Sequence, residues 1–388
     1  MKRVTSLAVV LLLVVLAFLP GCSSGAKKPE SAPAADEIRV GVYLPMTGQM
    51  AAGGQMEWEG IQLAHELAPE VLGKPVKLSL VDNKSDKVEA ANAVSRLIEN
   101  DKVHLILGSY GSSLSMAGGP IAEKAKIPVV GTSCTNPLVT KGLDYYFRVC
   151  FIDPFQGTVM AKYAYNSMGV RKVAVIQDVA QDYSVGLSNY FRETWIKLSG
   201  DPSSIVALTS YQSGDQDFTA QLTHVASKKP DAIFAPGYYG DVALLIKQAR
   251  QLGIKVPFLG GDAWEAPEFI QIGGAAVEGA VLSTHYSAEA PGTEESKKFV
   301  EAYRKKYGKE PNAFAALGYD AYMFALDAIK RAGKVDPVAI RDAMAATKGF
   351  KGATGIINID ENGDAVKSAV ILKVEGGKFK YVATVEPD

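Results

Sequence analysis

The chain has 388 residues, a formal net charge of −1, 47% hydrophobic and 21% charged residues, and 37 Gly and 19 Pro scattered along it. This is ordinary globular composition and excludes a disordered, collagenous or coiled-coil protein. The near-neutral balance argues against nucleic acid as the main partner, three cysteines are too few for a disulfide scaffold, and at about 100–200 residues per domain the length suggests two domains.

Lys2 and Arg3 precede an uncharged apolar run of 13 residues over 7–19. That is short of the ~20 residues that span a bilayer and reads as the hydrophobic part of a secretory signal. The run closes on Leu19-Pro20-Gly21-Cys22, which resembles a bacterial lipobox. Residues 1–21 are therefore expected to be a lipoprotein signal peptide and Cys22 the lipid attachment. Residues 22–36, rich in Ser, Pro and Ala, cannot bury enough apolar surface to fold and are expected to form a flexible tether. The folded part is then expected in the periplasm or on the outer face of the cell envelope, lipid-anchored to a membrane.

From residue 38 onward, β-branched runs alternate with amphipathic stretches. In chain order the pattern predicts a strand over 38–42, a helix over 57–70, a strand over 76–81, a helix over 88–100, a strand over 103–107, a helix over 114–125 and a strand over 128–130. It continues with a strand over 172–176, a helix over 186–197, a strand over 232–234, a helix over 242–251, a strand over 257–259 and a helix over 294–307. Such alternation predicts a parallel, doubly wound α/β sheet. Near-continuous apolar strands such as Val173-Ala174-Val175-Ile176 are expected where both sheet faces are covered. The number of units exceeds one sheet, and two α/β lobes with a cleft between them fit the length.

Ligands of open parallel sheets bind beyond the carboxyl ends of the strands. In the first half those exits carry Gly108-Ser109-Tyr110-Gly111-Ser112-Ser113 and Gly131-Thr132-Ser133-Cys134-Thr135-Asn136-Pro137. Hydroxyls and helix N-termini suit a small carboxylate, although Ser and Thr there also serve as helix caps. In the second half the exits carry Asp182-Tyr183, Tyr238-Tyr239 and Gly261-Asp262-Ala263-Trp264. A carboxylate with ring faces suits an ammonium group; the alternative for Asp262 is a helix cap. One half offers anion donors and the other an ammonium acceptor, so a small zwitterion held between them would satisfy both. The four histidines, His65, His104, His224 and His285, stand in no hydrolase or metalloprotease motif. No G-x-G-x-x-G follows a strand, so neither catalysis nor a cofactor or metal is expected. Cys134 and Cys150 read as two small buried hydrophobes, with a disulfide as the alternative in an oxidising compartment.

At this point the chain resembles the leucine/isoleucine/valine-binding group of bacterial ABC-transporter binding proteins. The likeness runs through Val42-Tyr43-Leu44-Pro45-Met46-Thr47-Gly48, Asp82-Asn83-Lys84-Ser85-Asp86, Ser133-Cys134-Thr135-Asn136-Pro137, Phe147-Arg148-Val149-Cys150-Phe151 and Asp153-Pro154-Phe155-Gln156-Gly157. It implies the type I periplasmic binding protein fold, two Rossmann-like lobes joined by three crossovers near Asp153, residues 284–286 and residues 354–357. Lobe 1 would comprise 37–152 and 286–355, and lobe 2 would comprise 153–285 and 356–388. It implies capture of a small amino acid by hinge closure, delivery to an ABC permease, and a monomer. By this resemblance Ser112, Ser133 and Thr135 hold the ligand carboxylate, Asp262 and Tyr238 meet its ammonium, and Tyr183 and Phe314 lie near it. Three positions depart from the family pattern. Gly53 stands where an aromatic wall is usual, Asp262 is one methylene shorter than the usual Glu, and Ser85 and Gly111 replace a disulfide. A roomier pocket, partly filled by Trp264 or Tyr110, leaves open an aromatic acid, an amide or a short peptide as ligand. A sensor for a signalling partner is a further alternative.

Overall fold

The computed structural model describes residues 37–387. The expected signal peptide (1–21), Cys22 and the tether (22–36) lie outside the described residues. Two sheets organise the rest. The first has the spatial order β2 (Glu70–Val71), β3 (Lys74–Asp82), β1 (Ile38–Leu44), β4 (Leu105–Leu107), β5 (Val129–Gly131), β6 (Tyr146–Arg148). Its pairings are parallel except for the β2–β3 edge hairpin. The second has the order β16 (Lys378–Val385), β15 (Ala369–Glu375), β11 (Val281–Thr284), β10 (Phe258–Gly260), β9 (Ala232–Phe234), β7 (Val173–Asp178), β8 (Ile205–Tyr211). Here the run from β11 across to β8 is parallel, while β15 and β16 add an antiparallel edge that the alternation did not predict. A small antiparallel sheet joins β12 (Phe350–Gly352), β13 (Gly355–Ile359) and β14 (Ala365–Val366).

Helices α1 (Ala51–Leu67), α2 (Lys87–Glu99) and α3 (Ser112–Ala125) connect strands of the first sheet. Helices α4 (Asp153–Lys162), α5 (Asp182–Ser199), α6 (Thr219–Ser227), α7 (Tyr239–Gln251) and α8 (Pro267–Gly273) serve the second. After β11 come α9 (Glu294–Tyr307), α10 (Ala313–Ala332) and α11 (Pro337–Ala345). The chain passes from the first sheet to the second between β6 and β7. It returns after β11, so that α10 packs on α1, and passes over again before β15. Each sheet with its helices is a lobe, and the predicted doubly wound α/β class is the one that forms.

Strands β4, β5, β9 and β10 are buried along their whole length, which is why they read as unbroken apolar runs. Helix α10 escaped the periodicity reading because it is apolar on nearly every side. Its residues from Ala313 to Tyr322 are all buried, and Asp320 carries the only carboxyl among them. A first half buried on all sides blurs the 3.6-residue stripe. It lies against α1 at backbone distance: a Cβ on Gly60 would stand 1.9 Å from the Ala315 carbonyl, and one on Gly318 would stand 2.1 Å from that of Glu57. Helix α1 begins at Ala51, six residues ahead of the predicted start, and its Gly53 and Gly54 are interior positions where neighbouring atoms leave no room for a side chain. Side-chain caps fix other helix starts: Asp86 accepts from the backbone N–H groups of Val88 and Glu89, and Asn312 from that of Ala315.

Candidate functional site

The strand order reverses between β1 and β4 in the first lobe and between β7 and β9 in the second, and crevices open at such switch points. In the first lobe the exits of β4 and β5 run side by side, joined by a parallel bridge between Tyr110 and Ser133. The second of these loops is pinned from beneath by buried Arg148. Its guanidinium donates to the carbonyls of Cys134 and Asn136 and pairs with Asp364 at 2.7 Å. Ser112, the first residue of α3, accepts the Asn136 N–H at 3.1 Å. The Ser133 hydroxyl is directed elsewhere than the sequence implied: together with Thr132 it donates to Glu57 of α1. Burial pushes the Glu57 carboxyl up to about 8, although the two hydroxyls partly offset this. The Thr135 hydroxyl is fully buried and makes no hydrogen bond among the described residues. It lies beside Asp153, whose carboxyl burial pushes well above the usual range, with Thr135 opposing and the charge of Asp262 adding to the shift.

In the second lobe Asp262 opens a short turn after β10 but caps no helix. Its Oδ1 accepts from Gln156 Nε2 and from the Tyr183 hydroxyl, both at 2.8 Å, and its Oδ2 accepts from His285 Nε2 at 3.0 Å. Burial pushes this carboxyl up, but the bond and charge of His285, with the Gln156 and Tyr183 bonds, outweigh burial and hold it below the usual range. A carboxylate has about four lone-pair positions, so three donors leave one on Oδ2. Asp262 is thus a fixed, ionised acceptor with capacity for one more donor.

Aromatic rings join the two halves. Phe314 at the start of α10 meets Tyr110 at 5.0 Å between centroids, Tyr110 meets Tyr238 of the second lobe at 5.8 Å, and Tyr238 meets Tyr183 at 5.6 Å. The hydroxyls of Tyr110 and Tyr238 have no hydrogen-bond partner among the described residues. Gly111 has φ +90°, and a Cβ there would stand 2.9 Å from the Tyr238 hydroxyl, so glycine admits this ring. Trp264 instead packs over Gly260 and stacks on Phe269 at 5.1 Å. Where the resemblance implied a missing disulfide, the Ser85 hydroxyl accepts from Met50 N–H and donates to the Thr47 carbonyl. Cys134 and Cys150 are both buried and, among the described residues, form no disulfide.

The lobes are closed on one another. Ser113 of α3 donates to Asp182 of α5 at 2.8 Å, Lys87 of α2 pairs with the same carboxylate at 3.1 Å, and Asn136 donates to the Asp182 carbonyl at 2.7 Å. The Tyr239 hydroxyl bridges Gln49 and Ala52 across the lobes. Accordingly Ser112, Ser133, Thr135, Tyr183, Tyr238, Asp262 and Phe314 are at most 7% exposed. An open groove of about 690 Å³, lined by Ile270, Tyr286, Arg304 and Phe379 among others, contains none of these side chains. Among its charged groups Arg304 pairs with Glu310 and Lys380 with Glu289.

Sequence reasoning missed Glu57, Gln156 and His285. Glu57 stands on the same helical face as Gly53, Ile61 and Ala64, and an acid on an apolar stripe was a usable signal. Gln156 lies in a matched stretch but was given no role. His285 follows β11, a strand the reading did not assign, so its exit went unread.

The profile of the periplasmic binding protein family matches residues 37–378. A Leu/Ile/Val-binding protein homolog from Brucella abortus (strain 2308) is 27% identical over 354 residues, covering 89% of this chain and 93% of that protein. Among solved structures, the leucine binding protein LivK from Thermotoga maritima has a TM-score of 0.87 and 51% identity, covering 90% of this chain and 99% of that one. The branched-chain amino acid transporter substrate binding protein LivJ from Streptococcus pneumoniae, in complex with isoleucine, has a TM-score of 0.85 and 35% identity, covering 90% and 100%. A solute binding protein of an ABC transporter from Rhodopseudomonas palustris BisB5, in complex with 3,4-dihydroxy benzoic acid, has a TM-score of 0.80 and 28% identity, covering 90% and 98%.

Proposed function

This chain belongs to the periplasmic binding protein family, and on that premise we propose that it is the extracytoplasmic substrate-binding protein of an ABC importer. It captures a small amino acid, branched-chain or related, by closure of its lobes and delivers it to the permease. One observation supports this reading: a buried, ionised Asp262 with one lone pair to spare and, on the other lobe, the buried Thr135 hydroxyl both act on the Asp153 carboxyl between the sheets. Buried polar groups need partners, and the two ends of a zwitterion supply them. Ser112 and Thr135 serve the carboxylate, Asp262 and Tyr238 the ammonium, and Tyr183 and Phe314 wall the side chain. Ser133 contributes by holding its loop to Glu57. A ligand that contacts both lobes only when they are closed shifts the population toward closure.

The same reading takes residues 37–152 and 286–355 as lobe 1 and 153–285 and 356–388 as lobe 2, the last boundary falling inside the small β12–β14 sheet. It also takes residues 1–21 as a signal peptide, Cys22 as the lipid anchor, 22–36 as the tether, and the protein as a monomer without enzymatic activity. A thermal-shift screen of amino acids and small acids tests the reading: a ligand at a hundred times its dissociation constant stabilises by about 2.7 kcal/mol. Silence toward every amino acid refutes it.

The chain of rings from Phe314 to Tyr183 favours a second reading, an aromatic acid as ligand. Such an acid has no ammonium, so it would leave the Asp262 charge without a cation in a buried site, at a cost of several kcal/mol. The amino acid is therefore the preferred ligand.

A further inference from the structure

His285 stands at the junction of the lobes. It follows β11, where the chain leaves the second sheet, and its ring lies 3.7 Å between centroids from Phe151, which follows β6, where the chain leaves the first. The side chain is fully buried, its Nε2 bonds Asp262 Oδ2 at 3.0 Å, and its Nδ1 has no hydrogen-bond partner among the described residues. Gln156 and Tyr183 grip the other oxygen. The carboxylate plane is thus fixed from both sides, and the single uncommitted lone pair sits on the oxygen that His285 holds.

We propose that His285 is the positioning residue of the ammonium subsite and its acid-sensitive gate: neutral, it aims Asp262 at the ligand ammonium, and protonated, it takes over the charge of that carboxylate and excludes the ligand. This deepens the amino-acid reading above and rests on it. With Nε2–H already donating to Asp262, an added proton goes to Nδ1, where no acceptor waits. The resulting imidazolium neutralises Asp262 and repels a second cation. Conversely, a bound ammonium opposes protonation of His285, so ligand and proton compete one for one.

The surroundings set the range. Burial holds the imidazole below its ordinary value, Asp262 opposes this, and Lys367, which precedes β15, adds to it. Burial thus favours the neutral imidazole, which gains its proton on acidification. Other groups that feel the Asp262 charge are Cys150 beyond β6, Asp153 on α4, Glu57 on α1, Glu265 after β10 and the hydroxyls of Tyr110, Tyr183 and Tyr238. Glu57 and Glu265 are pushed up by burial, to about 8 and about 7, and Asp153 and Cys150 also move upward. Because some of these groups also titrate near neutrality, the contribution of His285 is read by difference against a variant that cannot titrate there.

The test is calorimetry of L-isoleucine, and of other common amino acids, from about pH 8 to about pH 5. In the wild type the dissociation constant rises on acidification, approaching about tenfold per pH unit once His285 titrates. His285→Gln keeps an N–H donor for Asp262 but has no titrating group there. It binds roughly two- to tenfold more weakly at neutral pH and loses the acid-dependent component. His285→Ala, which leaves Asp262 without that donor, binds more weakly still. If His285→Gln retains the wild-type acid dependence, the inference is overturned and the amino-acid reading stands. If the wild type binds no common amino acid at any pH, the amino-acid reading falls and takes this inference with it.

Discussion

The Tyr110 ring occupies the space that a side chain on Gly53 would need: a Cβ there would stand 2.3 Å from the ring's Cζ. The aromatic wall missing from helix α1 is thus supplied from the neighbouring loop. Phe314 and Tyr238 flank Tyr110, so the ring has no free direction of retreat. Gly53→Ala is expected to destabilise the closed protein by about 1–3 kcal/mol, read from denaturant unfolding. Adding Tyr110→Ala is expected to recover part of that loss; strictly additive effects would show that the two residues do not share the space.

Thr135 separates ligand binding from folding. Its hydroxyl is buried without a hydrogen-bond partner among the described residues, so Thr135→Val is expected to leave the melting temperature unchanged or raised. Loss of one donor to the ligand carboxylate is expected to weaken amino-acid binding by roughly tenfold to 150-fold. An unaltered dissociation constant removes Thr135 from the carboxylate subsite.

Glu57 makes stability depend on pH. Its folded proton affinity is raised from 4.5 to about 8, so its contribution is fully present below about pH 4.5 and is lost as pH rises toward 8. The gradient from this group is about 1.4 kcal/mol per pH unit at most. Glu57→Gln keeps the shape without the ionisation, so it is expected to melt higher than the wild type, by more at pH 8 than at pH 5. A constant difference across that range would mean that Glu57 does not gain a charge on unfolding.

Asp182 latches the lobes through Ser113, Lys87 and Asn136. The Lys87–Asp182 pair is partly exposed, with the two side chains 54% and 39% accessible, so salt screens it. Asp182→Ala is expected to raise the amino-acid dissociation constant roughly two- to fivefold and to expand the ligand-free protein in small-angle scattering. Unchanged dimensions and affinity would show that closure does not depend on this contact.

The legible parts of the sequence were those with a period or a place. Asp262, Tyr183, Tyr238 and Thr135 follow strands whose apolar runs announce them, so strand-exit reasoning reached them. Phe314 came only through family likeness, because it lies in the half of α10 that is buried on all sides and follows no strand. Gln156 was missed for a related reason: α4 buries residues all round its short length, so it carries no amphipathic signal. The Ser133 hydroxyl turned out to serve Glu57 because a buried carboxyl on a neighbouring helix claims the nearest donors, a pairing that spans 76 positions in sequence and has no local trace.

The central claim is that opposed lobes carry separate partners for the two ends of one zwitterion. Titration of the best amino-acid ligand, its deaminated acid and its amide against wild type and Asp262→Ala tests it most directly. In the wild type, removing either charge of the ligand is expected to weaken binding by roughly 30-fold to several thousand-fold. Asp262→Ala is expected to lose a similar factor for the amino acid and to stop distinguishing it from the deaminated acid. A wild type that binds the deaminated acid as tightly as the amino acid, or an Asp262→Ala protein that still prefers the ammonium, would contradict the account.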